Sequence, residues 1–472
     1  MTSLKKNIIY NSTYQILLII LPIITSPYIS RVLGAKNIGI FSYSQAFANY
    51  FYLVAMLGVK NYGNRTIAKV RDNDKELRIN FWEIYFFQIL FGIFVSLIYI
   101  FIVYFYIKVN KSVYYFQLFF ILSGVFDLTW CYFGLEEFKS TTVISMFIKI
   151  IDVIAIFIFV RDVDDLKIYT FLICFAMIFN QIVLIPYILR KIPFLMPTIK
   201  GIKRHIIPNL ILFIPVLAVS FYNIMDKLML GIISTNTEVG FYTYAENITQ
   251  IPNTLILSIN NAVMPRMSNL AKKKDSGNSL KLINILMLLA MFISSGCAFG
   301  LLSISNTLIP WFYGKEFERC AIFVMLLSPI IIFKGWAGVL RTQYIIPNNK
   351  DRIFIISLFI GAIVNIVINF LLIPQFEGIG AIVGTFAAEF AVCFVQFKMV
   401  YKEIDVLKYL KDGIAFIVCG VLMSIVIILM GYLNINKIVN MFLQILFGGI
   451  IYTALSYIYI KKTREINKYI NI

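Results

Sequence analysis

Lys334 and Arg341 stand seven residues apart in an apolar segment, with Gly338 between them. At helical spacing they share one face, and the segment 320–344 holds no acid to balance them. Long-stemmed cations on one face suit phosphate oxygens, so the chemistry they could do is to hold an anion. The competing reading puts Arg341 at a membrane interface, because Pro347, Asn348 and Asn349 follow closely. In 141–160, Lys149 and Asp152 lie i, i+3, where they either neutralise each other or leave Lys149 for an anion. Asp226 and Lys227 are adjacent in 207–233 and point about 100° apart on a helix, so each needs its own partner; Lys227 either serves an anion or snorkels outward. Arg31, closing the first apolar segment, has the same two options. Glu246, Glu389 and Asp226 could carry a proton or help to hold Na+; the competing reading is a salt bridge to a neighbouring cation. Each charge at a helix centre costs roughly 2.5–3.5 kcal/mol on insertion scales, so all of them need a partner or a wet cavity.

A polar pattern is written twice. Ile38-Gly39-Ile40-Phe41-Ser42-Tyr43 recurs 201 positions later as Val239-Gly240-Phe241-Tyr242-Thr243-Tyr244. At the same offset Gln45, Asn49 and Tyr52 fall on Glu246, Gln250 and Asn253. Each trio, spaced i, i+4, i+7, makes a polar stripe that must face protein or a water-filled cavity. Tyr43, Tyr52, Tyr242 and Tyr244 could stack on sugar rings or serve in interfacial belts.

Such residues need membrane-spanning elements to position them. The chain has 472 residues, 60% hydrophobic and 14% charged, against roughly a quarter charged in soluble domains. It divides into apolar stretches of about 20 residues, enough to cross a ~30 Å hydrocarbon layer as helices. The runs are continuous and not alternating, which argues against a β-barrel. The expected fold is an all-α integral membrane protein of about 14 transmembrane helices, in two pseudo-symmetric six-helix lobes plus a C-terminal helix pair. Residues 1–189 form the N-terminal lobe, 190–206 a linker, 207–400 the C-terminal lobe, and 401–472 the last two helices and a tail. The striped spans 40–61 and 240–264 should then face each other across a cavity.

The net charge of +18 follows from topology better than from nucleic-acid binding, which is not expected. Lys and Arg are in roughly threefold excess in alternate connecting segments, which places both termini in the cytoplasm. The basic loops 65–78, 190–204 and 266–281 read as segments touching anionic lipid. No P-loop, G-x-S-x-G or H-E-x-x-H motif occurs, so neither ATP-driven transport nor a familiar hydrolase is expected. Six scattered Cys and a single His205 support neither a disulfide framework nor a zinc site. No cofactor is expected, beyond Na+ or H+ as a coupling ion.

Several segments carry a family resemblance in their order and spacing. They are Thr25-Ser26-Pro27-Tyr28-Ile29-Ser30-Arg31-Val32-Leu33-Gly34 followed by Gly39-Ile40-Phe41-Ser42-Tyr43, then Asn61-Tyr62-Gly63-Asn64-Arg65, then Trp130 with Gly134-Leu135-Glu136-Glu137-Phe138. Later come Asp226-Lys227-Leu228-Met229-Leu230-Gly231, Trp311-Phe312-Tyr313-Gly314-Lys315-Glu316-Phe317, and Asn365 to Asn369 with Ile373-Pro374 and Gly378-Ile379-Gly380-Ala381. Over nearly its whole length the chain resembles bacterial oligosaccharide-lipid flippases of the Wzx type, in the polysaccharide-transporter branch of the MOP superfamily. The resemblance implies alternating access around a cationic cavity. It implies a substrate too: an undecaprenyl-pyrophosphate-linked oligosaccharide, moved from the inner to the outer leaflet of the bacterial plasma membrane. The product would be O-antigen, capsule or a similar surface glycan, made beside polysaccharide polymerase machinery. On that reading Arg31, Lys149, Lys227, Lys334 and Arg341 attract the pyrophosphate. Glu246, Glu389 and Asp226 depart from a purely cationic cavity and would equally suit a cation-coupled multidrug exporter of the same superfamily. A membrane glycan polymerase or ligase is a third reading, but the outside segments are short and carry few acids.

Overall fold

The computed structural model describes residues 2–273, 275–433 and 435–462; the side chains of 2–16, 18, 19, 138, 222, 223 and 276 are outside the description. The tail expected past residue 462 lies outside the described residues. Among the described residues the regular structure is helical, without a strand. Apolar runs this long have that outcome because in hydrocarbon a helix pairs every N–H and C=O within its own segment. The chain divides into two compact units, Met1–Ile224 and Met225–Ile472.

The first unit opens with α1 (Thr2–Met56), which is two helices joined at Gly34. Gly34 has φ 72° and ψ 169°, a conformation open to glycine and little else. Next come α2 (Val59–Val70), α3 (Asp74–Tyr106), α4 (Lys111–Val125), α5 (Thr129–Gly134), α6 (Phe138–Phe159), α7 (Leu166–Lys191), α8 (Ile199–Arg204) and α9 (Ile206–Ile233), the last shared with the second unit. α2, at 12 residues, rises only about 18 Å, too short to cross a membrane.

α4 and α5 form one broken span, and the break leaves carbonyls without helical partners. Gln88 of α3 supplies them: its amide donates to the carbonyls of Gly124 (2.8 Å), Asp127 (2.9 Å) and Val125 (3.2 Å), while its oxygen accepts from Trp130 Nε1 (3.0 Å). Trp130 in turn lies flat on Gly63 of α2, where a Cβ would come within 2.5 Å of the indole. Near the start of α9, buried His205 bridges the hydroxyl of Tyr62 (2.7 Å) and the carboxylate of Glu83 (3.0 Å).

The second unit contains α10 (Asn236–Lys272), α11 (Ser276–Tyr313), α12 (Glu318–Leu327), α13 (Ile330–Val339), α14 (Asp351–Val400), α15 (Val406–Met430) and α16 (Lys437–Lys462). α13 runs on into a π-helical turn, Leu340–Ile345, and the segment before it is bent from it by 45°. α14 has 50 residues, about 75 Å and so two crossings. It breaks at Glu377, with φ 49° and ψ −125°. Arg319 holds that break, reaching Glu377 at 3.0 Å and Glu238 of α10 at 3.1 Å, while Glu238 also accepts from the N–H of Gly378. The core, with Met287, Met291, Ile331, Ile332 and Phe416 fully or almost fully buried, lies where α11, α13 and α15 meet.

Counting α1 and α14 as two helices each, and α4–α5 and α12–α13 as one each, gives the expected 14 membrane helices among the described residues. Length and apolarity alone would accept nine, or ten with the bent pair. α14 counts there as one span, and α10 is passed over for another reason: it is long enough, but its stripe is polar and turned into the protein, where Glu238, Thr243, Thr249 and Asn253 are buried. Replacing Gln88 with Leu should strip the α4–α5 break of its partners and lower the stability of the detergent-solubilised protein by about 3 kcal/mol. A thermal unfolding midpoint unchanged from wild type would refute that role.

Candidate functional site

Asp226, in the last third of α9, is 4% exposed. Its Oδ1 accepts the amides of Asn365 (2.8 Å) and Asn369 (2.6 Å), one turn apart on the first half of α14. Its Oδ2 accepts the hydroxyls of Tyr242 on α10 (2.8 Å) and of Thr385 on the second half of α14 (2.9 Å). Among the described residues no Lys or Arg pairs with this carboxylate; the cations of the unit's interior pair elsewhere. A buried charge without a counter-ion costs several kcal/mol. Hydrogen bonds to a charged acceptor, at about 1.5–3 kcal/mol each, offset part of that cost. Among the described residues the buried amide oxygen Asn369 Oδ1 finds no partner. The arrangement gathers a carboxylate, two amides that now present N–H, and two hydroxyls; turning the amides would offer oxygen, the ligand type that hard cations take.

Lys227, the next residue of α9, turns away and pairs with Glu246 of α10 at 2.9 Å. Gln250, one turn along α10, hydrogen-bonds the same carboxylate. Lys334 of α13 pairs with buried Glu389 of α14 at 3.2 Å. Both lysine side chains keep 22% exposure. Tyr242, Glu246, Thr249, Asn253, Lys334 and Thr385 line one small cleft, walled on its apolar side by Leu327, Ile330 and Ile331. The cleft is therefore charge-paired. The expectation of an unbalanced cationic face in 320–344 is corrected, because its acid comes from another helix, where spacing within one segment cannot show it. Glu246 and Glu389 each form a salt bridge to a lysine, one of the two options open to them.

The other expected residues sit elsewhere. Arg341 falls in the π-helical turn, with its guanidinium over the ring of Phe354 at 5.3 Å. In the first unit Lys149 pairs with Asp152 at 2.9 Å, the self-neutralising alternative. Arg31 is exposed, and its Nη1 donates to the carbonyl of Pro27 at 2.8 Å. Gln45, Asn49 and Tyr52 are half-buried, with Tyr52 stacked on Phe120 at 4.7 Å. In the second copy of the stripe Asn253 is buried, and its amide is returned to the carbonyl of Thr249.

The cage around Asp226 was only partly visible in sequence. The i, i+4 pair Asn365 and Asn369 and the shared face of Thr385 and Glu389 can be seen, but their meeting with Asp226 cannot. Tyr242 is the clearest miss. It belongs to the repeated motif, yet it is 1% exposed and bonded to the carboxylate, a contact that neither the belt nor the sugar option anticipates. Its neighbour Tyr244 packs edge-on against Tyr313 at 4.5 Å.

Known proteins share both sequence and fold with this chain. A protein of Escherichia coli (strain K12) named "Putative O-antigen transporter" is 25% identical over 395 residues, covering 82% of this chain and 94% of that one. Among solved structures, the lipid II flippase MurJ in an inward closed conformation matches with a TM-score of 0.77 at 16% identity, over 97% of this chain and 99% of that one. An inward-facing multidrug resistance MATE family transporter of the MOP superfamily matches with a TM-score of 0.60 at 10% identity, over 82% and 95%. At these identities the structural likeness speaks for the fold, which is MurJ- and MATE-like. The family model described as polysaccharide biosynthesis protein matches residues 4–271, more than half of the sequence, and the chain belongs to that family.

Proposed function

We propose that this protein is a flippase, not an enzyme. Its substrate is an undecaprenyl-pyrophosphate-linked oligosaccharide, moved by alternating access from the cytoplasmic to the outer leaflet of the bacterial plasma membrane for surface polysaccharide synthesis. Both termini lie in the cytoplasm on this reading, which the uneven distribution of Lys and Arg supports. The observation that carries it is the pair of lysines, Lys227 and Lys334, held by Glu246 and Glu389 within a flippase-like fold. An ammonium that keeps some exposure and leans on a carboxylate can exchange that partner for a phosphate oxygen, which suits the same charge. Arg31, Lys149 and Arg341 are secondary candidates for the acidic head group, and polymerase machinery remains the expected partner.

Asp226 is our assignment for ion coupling, ahead of Glu246 and Glu389. Those two already have lysines, whereas the partners of Asp226 among the described residues are neutral donors that Na+ or a proton could rearrange. The second reading, a cation-coupled multidrug exporter, draws on the same feature, since the interior of this unit carries Asp226 beyond its two charge pairs.

Substituting Lys334 with Ala should cut surface polysaccharide about tenfold or more, equivalent to at least ~1.4 kcal/mol, with membrane levels of the protein unchanged. Normal glycan together with altered drug sensitivity would favour the exporter. Asp226→Asn is expected to remove the dependence of transport on a Na+ or proton gradient in proteoliposomes loaded with lipid-linked oligosaccharide. If the variant keeps the wild-type gradient dependence, the coupling assignment fails.

A further inference from the structure

Away from that site, α13, the end of α14 and the start of α15 enclose an apolar groove of about 510 Å³, within the ~300–1,000 Å³ typical of ligand pockets. Its wall is aromatic, built from Phe333, Trp336, Phe390, Phe394 and Phe397, with Tyr401 at one end. Phe390 and Phe394, one turn apart, stack at 6.1 Å, and Phe333 meets Phe390 edge-on at 5.5 Å. The rings thus pack on each other and leave the space beside them open. Phe390 and Phe394 are 50% and 54% exposed, so the groove opens sideways, on the face that hydrocarbon covers.

Charge gives the groove a direction. Lys398 lines it, with Nζ 5.9 Å from the centre of the Phe394 ring. Lys402, one turn further, rests over Tyr401 at 5.8 Å. Neither forms an ion pair among the described residues, and the acids of the adjoining linker are engaged elsewhere. Glu403 is bound by Lys350 and Tyr344, which hold its carboxyl below the usual range, and Asp405 caps the N–H of Lys408. Phe390 lies about 12 Å along the helix axis from Lys398. The amines therefore stand where the span gives way to the linker, and the rings lie at acyl-chain depth.

We propose that this groove binds one anionic phospholipid, with its phosphate on Lys398 and Lys402 and an acyl chain along the aromatic wall. An uncharged slot would accept any lipid chain. The two unneutralised amines at its mouth are what select a negative head group. The groove shares no lining residue with the small cleft or the Asp226 cage, and its occupant does not depend on which molecule the protein transports.

Tryptophan fluorescence tests it, because Trp336 lines the groove. The full-length protein in detergent would be titrated with phosphatidylglycerol or phosphatidylcholine carrying brominated chains, which quench a neighbouring indole. Half-quenching is expected at about tenfold lower concentration of the anionic lipid. Trp336→Phe should remove that lipid-selective component. The surface double variant K398A/K402A, checked for folding by circular dichroism, should leave the phosphatidylcholine curve in place and bring the phosphatidylglycerol curve onto it. Identical curves for the two lipids in the wild type would overturn the proposal and mark the groove as ordinary lipid-facing surface. Selectivity that survives in the double lysine variant would overturn it as well.

Discussion

Hydrocarbon offers no hydrogen bonds, so each polar group carried into it must find its partner within the protein. Most of what distinguishes this structure from a plain bundle of apolar rods answers that demand. Gln88 exists, in effect, for the carbonyls at the α4–α5 break. Arg319 ties two acids at the Glu377 break. The interior charges follow the same rule by two different routes. Lys227 and Lys334 take carboxylates, whereas Asp226 takes four neutral donors.

The two routes have different consequences. A Lys–Glu pair is a neutral unit that an incoming anion can open by competing for the ammonium. A carboxylate ringed by amides and hydroxyls has no ammonium to give up, and its surroundings can turn oxygen inward for a cation. Both kinds stand within one unit, on helices that share Tyr242, Thr385 and the small cleft. An anionic head group and a small cation would therefore act on neighbouring side chains, with Tyr242 touching the cage and lining the cleft.

Much of the fold could be read directly from the residues, because apolar length is a strong signal in a membrane. Helices fall near the expected segments 40–61, 141–160, 207–233, 240–264 and 320–344, and among them α10 is too polar to pass on apolarity alone. Partnership was harder to read. Lys149 and Asp152 lie on one helix, so their pairing could be anticipated as one of two options. Glu389 and Lys334 lie on different helices, and a face that looked unbalanced in one segment is balanced in three dimensions. Arg341 misled for another reason: i, i+7 spacing presumes α-helical pitch, and Arg341 stands in a turn bonded i to i+5. Asn365, Asn369 and Thr385 could be noticed as polar residues on shared faces, but nothing in a linear pattern says that all three converge on Asp226.

The long separations within that cage bear on how the protein is made. Tyr242 follows Asp226 by only 16 residues, whereas Asn365 and Thr385 follow by 139 and 159. At roughly 5–20 residues per second, a ribosome needs on the order of 7–30 s to deliver them after Asp226 has emerged. Gln88 presents the opposite case, since α3 is synthesised ahead of the broken span that it completes. One unit can be assembled in the order of its translation. The other must bring α9 into the membrane with its carboxylate incompletely surrounded and wait for α14, which makes that interval the exposed moment in the biogenesis of the protein.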